Sequence, residues 1–268
     1  MFRVLIGLVV LGCLQSSAVA QPRSLKKSPQ STAVEGWGQF ENRRQDCQIK
    51  PEPGRLTITV PGTPHNLNRE ISDLSAPRVL RDVEGDFSIQ VKVSGDFNPH
   101  PFSTVYPKGK AYNGAGLLLW VNEDLFVRLE RNIWIQAPGV ANCHPPLFEV
   151  MVKGAPTGTS PGPVPANFFS SSATWFRLSR SGNTVSGALS HDGVSWVACG
   201  THTLVLPAKV SVGVAAVNTS RKPFRAEFEE LELKTGADIP KPVPLPAQPG
   251  PRTQPGPGIT PAKPGVGL

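Results

Sequence analysis

The stretch GAGLLLWVNEDLFVRLER, residues 114–131, holds the side chains best suited to chemistry. Successive side chains of a strand point to opposite faces. Leu117, Leu119, Val121, Leu125, Val127 and Leu129 therefore form one apolar set, while Trp120, Phe126, Arg128 and Glu130 point the other way. The same parity in FSIQVKV (87–93) and TWFRLSR (174–180) turns Gln90, Lys92, Arg177 and Ser179 away from the core. Aromatic rings stack on the C–H side of a sugar, and planar charged or amide groups hydrogen-bond its hydroxyls. Trp120, Arg128, Glu130, Arg177, Gln90 and Lys92 thus form the candidate ligand-binding set, provided that adjacent strands bring them onto one face. The other reading is an Arg–Glu cross-strand pair on a solvated sheet, with Trp120 covered by a loop.

Other reactive side chains are less suggestive. The run Glu227, Glu229, Glu230, Glu232 offers carboxylates, but a glycosidase needs two of them across a cleft. An acidic face protecting an edge strand is the simpler reading. His65, His100 and His144 lie in Pro-containing loops without a nucleophile or carboxylate constellation, so no catalytic residue is assigned. Cys143–His144 and the CGTH at 199–202 match no common metal-ligand spacing. No metal or cofactor is expected. Of the cysteines outside the leader, Cys143 and Cys199 each sit where a loop meets a strand and are expected to form one bridge, leaving Cys47 spare.

These residues must be carried by strands. RLTITV (55–60), DFSIQVKV (86–93), the 114–131 hairpin, LFEVMV (147–152), TWFRLSR (174–180), NTVSGALS (183–190), VSWVAC (194–199), VSVGVAAV (210–217) and FRAEFEELELK (224–234) alternate or run apolar. SGN at 181–183 and DG at 192–193 are turn signals, and no segment keeps a 3.6-residue period. The series predicts an all-β, two-sheet antiparallel sandwich. In the last segment Phe224, Ala226 and Phe228 share one parity and Leu231 and Leu233 the other, which predicts a β-bulge at Glu229–Glu230.

The flanks differ. Residues 1–20 have one early cation, a short apolar run and Ala18 and Ala20, the layout of a cleaved secretory signal; lipid attachment at Cys13 is the alternative. Residues 21–36 read as a polar linker, 37–235 as the sandwich, and 236–268 as a Pro/Gly-rich disordered tail. No segment is long and apolar enough to span a membrane. The net charge is +7, yet residues 37–235 carry 20 Lys and Arg against 18 Asp and Glu. The excess lies in the flanks, which argues against a nucleic-acid partner.

The segments APRVLRDVEGDFSIQVKVSG, GAGLLLW, FVRLER, WFRLSRSGNTVSGALSHDGVSW and VGVAAVNTSRKPFRAEFEELEL, in that order, resemble the bacterial regulation-of-enolase-type domain of unknown function, in the concanavalin A-like lectin/glucanase superfamily. The resemblance spans roughly residues 37–234 and implies a jelly roll with one concave, solvent-facing sheet. That superfamily includes sugar-binding modules and glucanases, but EFEELE lacks the glucanase pattern Glu-x-Asp-x-x-Glu. The expectation is an exported, non-catalytic lectin-like module binding a carbohydrate or cell-surface glycan, with a glycan-acting hydrolase or a purely structural extracellular domain as the alternatives.

Overall fold

Alternating segments bury one face each and can stop only by packing sheet on sheet. The computed structural model describes residues 31–105, 109–137, 140–143, 147–153, 155–160 and 172–245. It has a nine-stranded and a seven-stranded antiparallel sheet. The strands are β1 (Ser31–Val34), β2 (Gly38–Glu41), β3 (Gln48–Glu52), β4 (Arg55–Val60), β5 (Arg78–Glu84), β6 (Phe87–Gly95), β7 (Tyr112–Asn122), β8 (Leu125–Ala137), β9 (Val140–Cys143), β10 (Leu147–Val152), β11 (Ala155–Ser160), β12 (Ala173–Ser181), β13 (Thr184–Ser190), β14 (Trp196–Thr203), β15 (Lys209–Asn218) and β16 (Phe224–Thr235). The larger sheet runs β1-β2-β5-β15-β7-β8-β10-β11, with β9 beside β8, and the smaller runs β14-β13-β12-β6-β16-β4-β3. This is the expected jelly-roll sandwich.

Between the sheets the apolar sets meet as the alternation requires. Phe87, Ile89, Val91 and Val93 of β6, Leu119, Val127 and Leu129 of the β7–β8 hairpin, and Phe176, Phe224 and Phe228 are all fully buried. The predicted bulge is present: the β16–β6 register shifts between Glu229 and Glu232, and Glu230 has φ +55°. The extra residue lets Leu231 and Leu233 pack against the core that Phe228 enters.

Several readings need correction. β16 lies between β6 and β4 and is not an edge. Its acidic residues are matched by cations instead, Glu229 by Arg55 and Lys92, and Glu227 by Arg225. The linker assigned to 21–36 ends sooner, because Ser31–Val34 pairs with β2. Asn218, the last residue of β15, is fully buried and gives its amide to the carbonyls of Pro61 and Lys222.

A second apolar cluster lies on the outer face of the larger sheet. Leu80, Leu118, Phe126, Met151, Ala215 and Val217 point outward but are buried beneath Leu67, Leu74 and Ala76 of the crossover at 61–77. His65 pairs with Asn218 and Asn68 with Asp73 to pin that crossover.

Two glycines separate lack of space from backbone strain. A Cβ on Gly213 would stand 2.0 Å from the Val79 carbonyl oxygen, whereas Gly182 has φ +57° and open space around it. Gly213→Ala should lower the unfolding free energy by about 2 kcal/mol or more through the clash. Gly182→Ala should cost only about 1 kcal/mol of left-handed strain. Urea denaturation of both variants checks the order.

Candidate functional site

β7, β8 and β10 carry the charged part of the outer face. Arg128 stands opposite Glu149 across β8–β10. Its Nε donates to Glu149 Oε2 at 2.7 Å, and its Nη1 lies 3.5 Å from Glu130 Oε1. The Tyr112 hydroxyl donates to that same Glu130 oxygen. Gly114 makes this possible: a Cβ there would meet Tyr112 Cε1 at 2.6 Å and Glu130 Oε1 at 2.8 Å. Gly114 thus gives the tyrosine ring room against the strand, while Gly116 lets the β8 backbone at Leu129 and Glu130 approach, where a Cβ would stand 2.1 Å from the Leu129 carbonyl oxygen.

The network is nearly dry, with Glu130 only 2% and Glu149 8% exposed. Burial works against the charge on Arg128, but Glu130 and Glu149 outweigh it and hold the guanidinium protonated. Burial pushes the Glu130 carboxyl above its ordinary value despite the pull of Arg128 and the Tyr112 hydrogen bond. Burial and the charge of Glu130 keep the Tyr112 hydroxyl protonated as a donor.

Over this floor opens a cleft of about 360 Å³, lined by Asn66, Asn68, Glu70, Ile71, Gly109, Lys110, Tyr112, Arg128 and Thr219. The crossover at 61–77 forms one wall. Lys110 also sits over the Trp134 ring, 3.4 Å from its centroid. An aromatic edge, a guanidinium, an ammonium and two amides converge on a space the size of small-ligand pockets.

The six residues chosen from parity are not on one surface. Trp120, Arg128 and Glu130 belong to the larger sheet, whereas Gln90, Lys92 and Arg177 point outward from the smaller one. There Arg177 donates to Gln90 at 2.9 Å and covers Trp196, 3.8 Å from its ring centroid, and Lys92 pairs with Glu229. Trp120 is not a free platform. It stacks on Phe126 at 5.3 Å, and the Arg78 guanidinium, itself bonded to Glu41, covers it at 4.0 Å. Only Arg128 of the six lines the cleft, with Glu130 beneath it.

Sequence reasoning missed Tyr112, Glu149, Lys110, Asn66 and Asn68. Glu149 had a usable signal, a lone carboxylate at the outward parity of LFEVMV. The alternate glycines 114 and 116 were another. Cys199 is a free, fully buried thiol rather than half of the bridge expected with Cys143, whose side chain lies outside the described residues. His144 lies outside them as well.

Residues 62–236 match a family described as "Protein of unknown function (DUF1349)". The chain belongs to the DUF1349 family. The regulation-of-enolase label suggested by the resemblance does not appear in that description. β1 to β4 precede the matched segment and contribute two strands to each sheet. Curated proteins give no match. Among solved structures, a functionally unknown protein from Saccharomyces cerevisiae is 15% identical with a TM-score of 0.56, over 75% of this chain and 97% of its own. Xyloglucan PUL GH43B from Bacteroides ovatus is 14% identical with a TM-score of 0.50, over 77% of this chain. A mutant of the GH43 protein BlXynB from Bacillus licheniformis is 15% identical with a TM-score of 0.51, over 76% of this chain. This chain spans 38% of the length of each of the last two. At these identities the likeness establishes the fold.

Removing Arg128 while keeping its volume, as in Arg128→Met, leaves two buried carboxylates without their cation. The unfolding free energy at pH 7 should fall by about 3–5 kcal/mol. Without the guanidinium nothing offsets the burial that raises the Glu130 carboxyl, which then binds its proton more tightly in the folded state than in the unfolded one, so folding is favoured as pH falls. Urea melts at pH 5 and pH 7 should therefore show part of the loss recovered at pH 5.

Proposed function

We propose that the chain is an exported carbohydrate-binding module of the DUF1349 family whose ligand occupies the cleft floored by Tyr112 and Arg128. The observation that carries this reading is the cleft lining itself. Asn66, Asn68, Lys110 and Arg128 supply donors, Glu70 supplies an acceptor, and Tyr112 supplies an aromatic edge. Polyhydroxylated ligands need that mixture in one place. A fold shared with Xyloglucan PUL GH43B accords with a glycan ligand, and the leader ending at Ala18-Val19-Ala20 accords with export.

Binding without hydrolysis fits better than hydrolysis. Among the described residues Glu70 is the one carboxylate lining the cleft. Glu130 and Glu149 are buried and committed to Arg128 and Tyr112. A glycosidase needs a pair that both reach the bond being cleaved.

The test is a glycan array with the chain from Gln21 onward, followed by titration of the best ligand. Lys110→Ala and Asn68→Ala should each weaken binding roughly tenfold, the effect of losing about 1.4 kcal/mol of hydrogen bonding to a charged or amide group. Arg177→Ala, on the other sheet, should bind as the parent does. Trp120→Ala should bind normally once folded but lose about 2 kcal/mol or more of stability, because its ring packs between Phe126 and Arg78. Unchanged affinity in both cleft variants would remove the site, and an array without any bound glycan would favour a structural extracellular domain.

A further inference from the structure

Asp46 and Cys47, in the β2–β3 connection, meet His65 of the 61–77 crossover. One ligand atom from each, a carboxylate oxygen, Cys47 Sγ and a ring nitrogen, lies within 4.8 Å of both others. His65 is fully buried and Cys47 is 8% exposed, while the side chain of Asp46 is 39% exposed and opens the cluster to solvent.

The two ring nitrogens of His65 face two acceptors. Nδ1 lies 3.0 Å from the Thr63 carbonyl oxygen and Nε2 lies 2.8 Å from Asp46 Oδ1. A neutral imidazole carries one N–H and can satisfy only one of them. If that proton sits on Nδ1 and goes to Thr63, the Nε2 lone pair points at a carboxylate. A ring N–H donated to a backbone carbonyl is the usual support of a metal-bound histidine, because it fixes the tautomer and aims the other nitrogen at the ion. A cation between Nε2 and Oδ1 turns the opposed acceptors into two ligands, and Cys47 Sγ, 3.8 Å from that oxygen, supplies a third.

We propose that Asp46, Cys47 and His65 bind one divalent transition cation of the zinc class. Imidazole, thiolate and carboxylate together suit that class better than calcium or magnesium, which take oxygen ligands. Metal–ligand distances of about 2.0–2.3 Å place tetrahedral ligand atoms about 3.4–3.7 Å apart, so the widest pair closes by at most about 1 Å and the Nε2–Oδ1 pair, now at 2.8 Å, opens by about 0.6 Å. The fourth position faces solvent beside Asp46. The ligand is the thiolate, so coordination releases the thiol proton to solvent as the S–metal bond forms.

The scaffold is held from both sides. The Asn42 amide donates to the Cys47 carbonyl at 2.9 Å, and His65 exchanges two 2.9 Å backbone hydrogen bonds with Asn218. His65 precedes Asn66, a wall residue of the cleft, so the ion clips the β2–β3 connection, residues 46 and 47, onto the crossover that forms that wall.

Cobalt(II) titration of the full-length protein tests this without reference to any glycan. The expected result is one equivalent bound, with thiolate-to-cobalt charge-transfer absorption and about one proton released. Cys47→Ser should abolish the absorption, Asp46→Asn should weaken cobalt and zinc binding tenfold or more, and Cys199→Ala should leave both intact. Circular dichroism confirms folding, and Asp46→Asn, at a half-exposed side chain, keeps the test valid if Cys47→Ser does not fold. Absence of the absorption in folded parent protein, or its persistence in Cys47→Ser, would overturn the proposal and leave His65 and Asp46 as an imidazolium–carboxylate pair.

Discussion

A guanidinium held almost out of water must have its charge balanced within hydrogen-bond reach, because an unpaired buried ion costs more than one side chain's packing returns. Arg128 meets this with one carboxylate across the strand pair, Glu149, and one two residues along its own strand, Glu130. Three ionised groups leave one negative charge in excess, and burial answers it by raising Glu130 and drawing in the Tyr112 hydroxyl as a donor. The glycines of β7 and the crossover at 61–77 follow from the same requirement, one giving the tyrosine room and the other keeping the network dry.

That crossover changes what the outer face is. A one-sided sheet would present Leu118, Phe126 and Trp120 to water; here Leu67, Leu74 and Ala76 cover the first two, and Arg78 with Glu41 covers the third. The molecule thus has two sheets and a partial third layer, and the cleft lies where that layer meets Tyr112 and Arg128 of the sheet. The smaller sheet's outer face uses a different device. Its aromatic rings are capped by cations, Trp196 by Arg177 and Trp175 by Lys92. Cation–aromatic contacts of this kind let a solvated sheet carry tryptophan without an open apolar patch.

The bulge at Glu229–Glu230 was legible because it leaves a phase slip in the apolar pattern of one segment. The mate of Arg128 was not. Glu149 lies 21 residues away with β9 between the two strands in sequence, and nothing local reports that β8 and β10 pair. β5 escaped notice because Arg78, Arg81 and Asp82 interrupt its apolar pattern, and β3 because it contains Pro51. Pro51 is tolerated because β3 is the edge of the smaller sheet, where a missing N–H breaks no interior ladder.

Residue order by itself determined most of the strands, their buried faces and the sandwich, since alternation, turn residues and composition are properties of neighbours along the chain. Parity tells whether a side chain points toward the core or away from it. It does not tell which sheet the strand joins, and in this fold β5 to β6, β6 to β7 and β15 to β16 each cross from one sheet to the other. Tertiary structure therefore decided that Arg177, Gln90 and Lys92 stand on the opposite side of the molecule from Arg128, that Trp120 is covered, and that Asp46, Cys47 and His65 meet. Each outcome depends on pairings between distant segments, whose energy comes from burying whole faces rather than from any local pattern.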